Sequence, residues 1–194
     1  MAGGRSIAVY GGSFNPPHMG HQTACLYLLE AFGFQEVWLV PAGLHPFGKQ
    51  LAPFADRAAM CRRLAAPFGD RVRVETREGQ PDSTGRTHDT LVALVRDHPT
   101  VRFTLVIGAD IVTETDSWHR WGDIVALVPI LILGRGGYGN PGEAQGEHHA
   151  VLPPVSSTQV RERLAKGETT RGLLPREVAR YIQDQGLYGS ETVS

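Results

Sequence analysis

Cysteine is scarce in this chain: Cys25 and Cys61 are the only two in 194 residues. Both stand among apolar helical neighbours, so they are expected as small core residues in a reducing compartment, not as a disulfide or redox pair. No apolar run approaches the roughly 20 residues that a membrane-spanning helix needs. The opening Met1-Ala2-Gly3-Gly4-Arg5 runs into a strand-like segment without the apolar stretch of a signal peptide. The cytoplasm is therefore the expected location. An excess of one charge is missing too: 19 Lys+Arg stand against 20 Asp+Glu, with no dense basic run. That balance argues against capture of nucleic acid by charge. No His/Cys/Asp cluster at ligand spacing implies a protein-held metal. No internal repeat is evident, and nothing speaks to oligomeric state.

What is present is a soluble, globular composition with 41% hydrophobic residues, long enough for one full core over residues 1–194. Short β-like runs alternate with helical stretches. The strands are expected at Ser6–Tyr10, Glu36–Val40, Arg71–Thr76, Arg102–Ile107 and Pro129–Leu133, with a weaker one at Ala150–Leu152. The helices are expected at Met19–Phe32, Asp56–Ala66, Asp89–Asp97, Trp121–Val128, Ser157–Lys166 and Pro175–Gln185. In the first helix Leu26, Leu29 and Phe32 recur at a three-residue step and suggest an apolar stripe. The run Thr104-Leu105-Val106-Ile107 suits a strand covered on both faces. Alternation of this kind implies right-handed crossovers and a doubly wound, Rossmann-like α/β fold with a parallel sheet and a small C-terminal helical part. Gly134–His149, rich in glycine and without apolar periodicity, reads as a long surface loop.

The most informative segment is Gly11-Gly12-Ser13-Phe14-Asn15-Pro16-Pro17-His18-Met19-Gly20-His21, directly after the first strand. It reads as a glycine turn followed by two histidines, three apart, at the opening of a helix. Residues at that spacing share a helix face. The helix start also offers unpaired N–H groups to an anion, and glycine lets backbone come close to it. A nucleotide phosphate fits this combination. A plain turn, a capping histidine or half of a metal site would each explain one part of it.

A second anion-suited segment is Val155-Ser156-Ser157-Thr158-Gln159-Val160-Arg161. Hydroxyl residues before an apolar helix are N-cap material. They also gather donors at a helix start, where Arg161 could add a two-pronged guanidinium.

The first segment resembles the (T/H)xGH signature of the nucleotidyltransferase superfamily, and its extended form resembles the nicotinate-nucleotide adenylyltransferase family in particular. The second resembles the SSTxIR motif of the same superfamily, with valine at the isoleucine position. Gly108-Ala109-Asp110 resembles the GAD segment, Trp118-His119-Arg120 the WHR segment, and Thr87-His88-Asp89-Thr90-Leu91 the TxDTL stretch. Gly85-Arg86 stand where the family has Ser-Tyr. Pro41–Lys49 is similar to the PNxxPPHK loop, with Gly48 in place of its histidine. Leu174–Ile182 resembles the closing LVPxxVxxYI helix.

The resemblance implies transfer of AMP from ATP to a pyridine mononucleotide, with nicotinate mononucleotide as acceptor. It implies that His18 and His21 act on the α-phosphate, with Arg161 and Lys49 on the leaving pyrophosphate. Gly11, Gly12, Ser13, Phe14, Gly108, Asp110, Ser156 and Ser157 would complete the ATP site. Asn15, Thr87, Asp89 and Trp118 would meet the acceptor, and Mg²⁺ would ride mainly on the ATP phosphates. Trp118 has a second reading as a core aromatic, and Lys49 as a solvated loop lysine. Nicotinamide mononucleotide, phosphopantetheine or a cytidylyl donor on the same scaffold, or a non-catalytic nucleotide-binding protein, are the competing functions.

Overall fold

The strands form where β-branched and apolar residues run together, and alternate side chains leave them for opposite faces. In the computed structural model, which describes residues 4–43, 51–109, 112–134 and 152–189, five strands lie parallel. They are β1 (Ser6–Gly12), β2 (Glu36–Pro41), β3 (Val72–Val74), β4 (Arg102–Gly108) and β5 (Ile130–Leu133). Their order is β3-β2-β1-β4-β5, the arrangement expected of a doubly wound sheet. In register, Val9 lies opposite Trp38 on β2 and Leu105 on β4, and Leu105 lies opposite Ile130 on β5.

Among the described residues six α-helices connect and cover the sheet: α1 (Met19–Glu30), α2 (Phe54–Ala65), α3 (Thr87–Asp97), α4 (Trp121–Leu127), α5 (Ser157–Ala165) and α6 (Arg176–Asp184). Ala8, Tyr10, Leu39 and Val106 pack on one face against α1, α2, α5 and α6. Ile7, Val9, Trp38 and Leu105 pack on the other against Leu91 and Leu94 of α3 and Ile124 of α4. Period-two alternation thus feeds two cores. The C-terminal helices share the core built by β1 and α1. Cys25 and Cys61 are both fully buried there, and burial pushes the Cys25 thiol up to about 12 and that of Cys61 up as well. Among the described residues no helix is long and apolar enough to cross a membrane.

Several expectations shift. Leu26 does not belong to the buried stripe of α1; it is half exposed, and the covered face runs through His21, Ala24, Cys25, Leu28 and Leu29. A three-residue step drifts off a 3.6-residue period, and steps of three and four follow it. Helix α3 starts two residues early, with Arg86 as its N-cap. Pro175 is the N-cap of α6, not its first helical residue. Of the weak strand at 150–152 only Leu152 is described, its amide donating to Gly134 O. The remainder of that segment, the 135–149 part of the loop, Lys49 with Gly48, and Asp110 lie outside the described residues.

Candidate active site

The chain leaves β1 for α1 on one face of the sheet and leaves β4 for α4 on the other. β1 and β4 are neighbours, so their carboxyl ends diverge around a crevice, the place where open α/β sheets bind ligands. Gly11 and Gly12 end β1 and Gly108 ends β4 at that crevice. A Cβ built on Gly11 meets no protein atom within 4 Å, whereas one on Gly12 lies 3.3 Å from the Phe14 ring. The protein's own packing therefore makes little demand for glycine at position 11.

The loop from Ser13 to Pro16 has no secondary structure of its own, and its carbonyls need donors from elsewhere. Arg57 Nη1 donates to Ser13 O (2.9 Å), Arg161 Nη1 to Asn15 O (2.7 Å) and Ser157 Oγ to Pro16 O (2.9 Å). Asn15, expected to meet the acceptor, has its Oδ1 engaged with Ala52 N at 3.0 Å and the Tyr188 hydroxyl at 2.8 Å. Met19 N donates outward to Leu173 O. Phe14 sits at φ +45°, a left-handed conformation that costs a non-glycine residue roughly 1–3 kcal/mol. Contacts from α2, α5 and the C-terminal turn hold the loop in that shape.

The histidines follow. His18 is the N-cap of α1 and His21 its third residue, the reciprocal pair of a capping box. His18 N–H donates to His21 Nδ1 at 3.1 Å. A backbone N–H can only donate, so Nδ1 is the lone-pair nitrogen and Nε2 carries the proton of the neutral ring. The helix cap thus turns His21 into an Nε2–H donor. The two rings stack at 3.8 Å, and the edge of His21 meets Phe14 at 4.9 Å. His18 is fully covered; His21 keeps a narrow opening.

The glycine between them has a steric reason. A Cβ on Gly20 would lie 3.1 Å from His18 Cε1 and Nδ1 and 3.5 Å from Pro153 O. Gly20→Ala should therefore push the His18 ring by a few tenths of an ångström and lower kcat about tenfold. Alanine also favours a helix by about 1 kcal/mol over glycine, so Tm should hold or rise. Wild-type kcat in Gly20→Ala would refute the steric argument.

At the start of α5, Ser156 Oγ accepts from Gln159 N at 3.1 Å, the expected N-cap bond. Arg161 reaches the motif loop with one nitrogen and Thr158 Oγ1 with the other, at 3.3 Å. The structure thus brings His18, His21, Asn15, Ser157 and Arg161 into one assembly.

Thr87, Asp89 and Trp118 form a second group, where α3 meets the segment after β4. Asp89 Oδ1 accepts from His88 Nδ1 (2.8 Å) and Oδ2 from Thr84 Oγ1 (2.7 Å). Those bonds hold its carboxyl below the usual range, the His88 bond most. Arg86 Nη1 donates to His119 Nε2 at 3.3 Å, tying the start of α3 to Trp118-His119. Trp118 is part-buried on the α3/α4 core, its ring at 79° to Trp121.

Three polar residues, two buried and one part-buried, escaped the sequence reading. Arg57 is 1% exposed and also bonds Ala52 O through Nε; burial draws its pKa below the usual arginine value. Glu78 accepts from Gly43 N and Thr90 Oγ1, and burial pushes its carboxyl up. Tyr188 is the third. Only Arg57 left a signal, since it lies on the face of α2 shared by Cys61 and Leu64. Among the described residues no group of three or more His, Cys, Asp or Glu could hold a metal ion.

Comparison with known proteins gives the assembly a context. The cytidylyltransferase-like family matches residues 9–163. A protein of Anaeromyxobacter dehalogenans strain 2CP-C, named "Probable nicotinate-nucleotide adenylyltransferase", is 49% identical over 193 residues, covering 97% of this chain and 99% of the relative. One of the same name from Myxococcus xanthus is 40% identical over 94% of each. The structure of Plasmodium falciparum nicotinic acid mononucleotide adenylyltransferase complexed with NaAD superposes with a TM-score of 0.80, at 20% identity over 97% of this chain and 100% of that one. The sheet order and its covering helices are thus those of a known nucleotidyltransferase fold. With the matched family spanning both motifs and relatives aligned almost end to end, this chain is a nucleotidyltransferase of the cytidylyltransferase-like family and belongs, within it, to the nicotinate-nucleotide adenylyltransferases.

Proposed function

We propose that the enzyme transfers the adenylyl group of ATP to the 5′-phosphate of nicotinate mononucleotide, giving deamido-NAD and pyrophosphate, a step of NAD biosynthesis. One observation carries the reading: a strained, externally pinned loop presents a histidine pair at the carboxyl end of β1, beside the Ser157–Arg161 start of α5. The names of the relatives support the acceptor.

An acceptor phosphate oxygen attacks the α-phosphorus, and the bond from that phosphorus to the bridging oxygen of pyrophosphate breaks. The nucleophile is already an anion, so no general base is required. The protein's task is to bring two anions together and to offset charge on the five-coordinate centre and the leaving group. His21 Nε2–H, with His18 stacked on it, donates to the α-phosphate region. Arg161, Ser156 and Ser157 face the leaving pyrophosphate, and the family resemblance assigns Lys49 to the same group. Gly11, Gly12, Ser13 and Phe14 let backbone approach the phosphates, and Gly108 and Asp110 meet the ribose. Asn15, Thr87, Asp89 and Trp118 serve the acceptor. Mg²⁺ would enter with ATP as part of the substrate and would offset charge on its phosphates. The same reading treats residues 1–194 as one domain, supported by the core that α5 and α6 share with β1, and assigns the enzyme to the cytoplasm.

Pyrophosphate release from ATP, measured with nicotinate mononucleotide, nicotinamide mononucleotide and phosphopantetheine, tests this function. Release with phosphopantetheine alone would assign another branch of the family; release with none would favour a nucleotide-binding protein without turnover. Arg161→Ala should lower kcat/KM for ATP by about ten- to a hundredfold with little change in Tm. Arg161→Lys should rescue poorly, because a single ammonium cannot serve Asn15 O and Thr158 Oγ1 along two planar prongs and still meet a phosphate. Full rescue by lysine would show that charge alone suffices.

A further inference from the structure

Asn15 is 3% exposed, and among the described residues its two side-chain anchors reach the same oxygen. Ala52 N–H can only donate, so Oδ1 is the atom turned toward it, and the Tyr188 hydroxyl that meets this oxygen donates as well. Tyr188 lies 173 residues away in sequence, in the turn Leu187–Gly189 that follows α6. Its backbone is held at φ +59°, a conformation a tyrosine adopts only where its surroundings fix it. Burial pushes its phenol pKa up, so the hydroxyl keeps the proton it donates. Immediately beyond Asn15 Oδ1, the same residue's carbonyl takes the Arg161 bond. Three residues on is His18, whose N–H sets the His21 tautomer. Displacement of Asn15 therefore moves both the Arg161 contact and the cap that aims His21.

We propose that Tyr188 is a positioning residue for adenylyl transfer: through Asn15 Oδ1 its hydroxyl holds the Gly11–His21 loop in the shape that aims His21. The inference rests on that loop being the catalytic one. Tyr188 touches no reacting group in this scheme, and its effect passes entirely through Asn15.

Tyr188→Phe keeps the ring and removes only the donor. Its kcat should fall roughly 5- to 20-fold, as a sub-ångström misplacement implies, while KM for ATP changes less than twofold. The decisive readout is a double-mutant cycle with Asn15→Leu. In that background Tyr188→Phe should have no further effect on kcat. Asn15→Asp, which still accepts from both donors, should recover at least tenfold of the activity lost in Asn15→Leu. Wild-type kcat in Tyr188→Phe with a lowered Tm, or effects that multiply in the double variant, would overturn the proposal. Should Asn15→Leu fail to fold, Asn15→Ser takes its place in the cycle. If nicotinate mononucleotide is not used but another acceptor is, the proposed acceptor fails while the cycle run on the accepted substrate still decides the role of Tyr188. If no acceptor supports turnover, the loop is not catalytic and this inference falls with it.

Discussion

Replacing His21 by alanine is expected to lower kcat by about two to three orders of magnitude, the usual cost of losing one preorganised donor to a developing charge. The protein should remain folded. Some loss of stability is expected as well, because His21 Nδ1 accepts the His18 N–H at the start of α1, and losing a cap typically costs about 1 kcal/mol. The two roles separate with a second variant. In His21→Asn the side-chain oxygen stands near the place of Nδ1, so the cap bond survives while the Nε2–H donor is gone. Tm should return toward wild type and kcat should not. His18→Ala should also lower turnover, through loss of the ring stacked at 3.8 Å on His21. A folded His21→Ala protein with near wild-type kcat would leave the histidine pair with a structural role only.

How the sequence foreshadowed this site follows from where the information sits. The three central strands are legible because Ile7–Tyr10 and Val37–Val40 are continuous apolar runs and Phe103–Ile107 is broken only by Thr104, as suits strands buried on both faces. The motif loop is legible as a type of chemistry, yet its shape is not, since that shape comes from donors on α2, α5 and the C-terminal turn. Arg57 is read by habit as a surface residue; only its place on the apolar side of α2 betrays that it is buried. Glu78 and Tyr188 carry no local signal, because the partners of Glu78 lie 35 and 12 residues away and that of Tyr188 lies 173 residues away. Leu26 misleads in the opposite direction, an apolar residue on the outer side of α1. Trp118 is part-buried on the α3/α4 core, as its reading as a core aromatic expects, and its neighbour His119 takes the Arg86 bond.

Choice of acceptor should favour the acid mononucleotide over the amide by roughly ten- to a hundredfold in kcat/KM. Helix α3 begins at Thr87 without a side-chain cap from Arg86, leaving first-turn N–H groups that suit a carboxylate and a macrodipole end equivalent to about half a positive charge. Gly85, at φ +64°, turns the chain so that Arg86 stands at this corner, its guanidinium on His119 Nε2. Asp89 opposes an incoming carboxylate, but both of its oxygens already accept hydrogen bonds and it is partly solvated. The balance of one guanidinium and a helix start against one screened carboxylate is modestly positive. An amide brings NH₂ donors to the same N–H groups, and an unpaired buried polar group costs about 1–3 kcal/mol; each 1.4 kcal/mol is about tenfold. Under the proposed role of Trp118 as a stacking surface for either acceptor, Trp118→Ala should raise KM for both and leave the preference intact. Kinetics with the two mononucleotides at fixed ATP measure the ratio directly. Equal or better use of the amide would mean that the Asp89 charge governs this corner and that α3 does not receive the acid group.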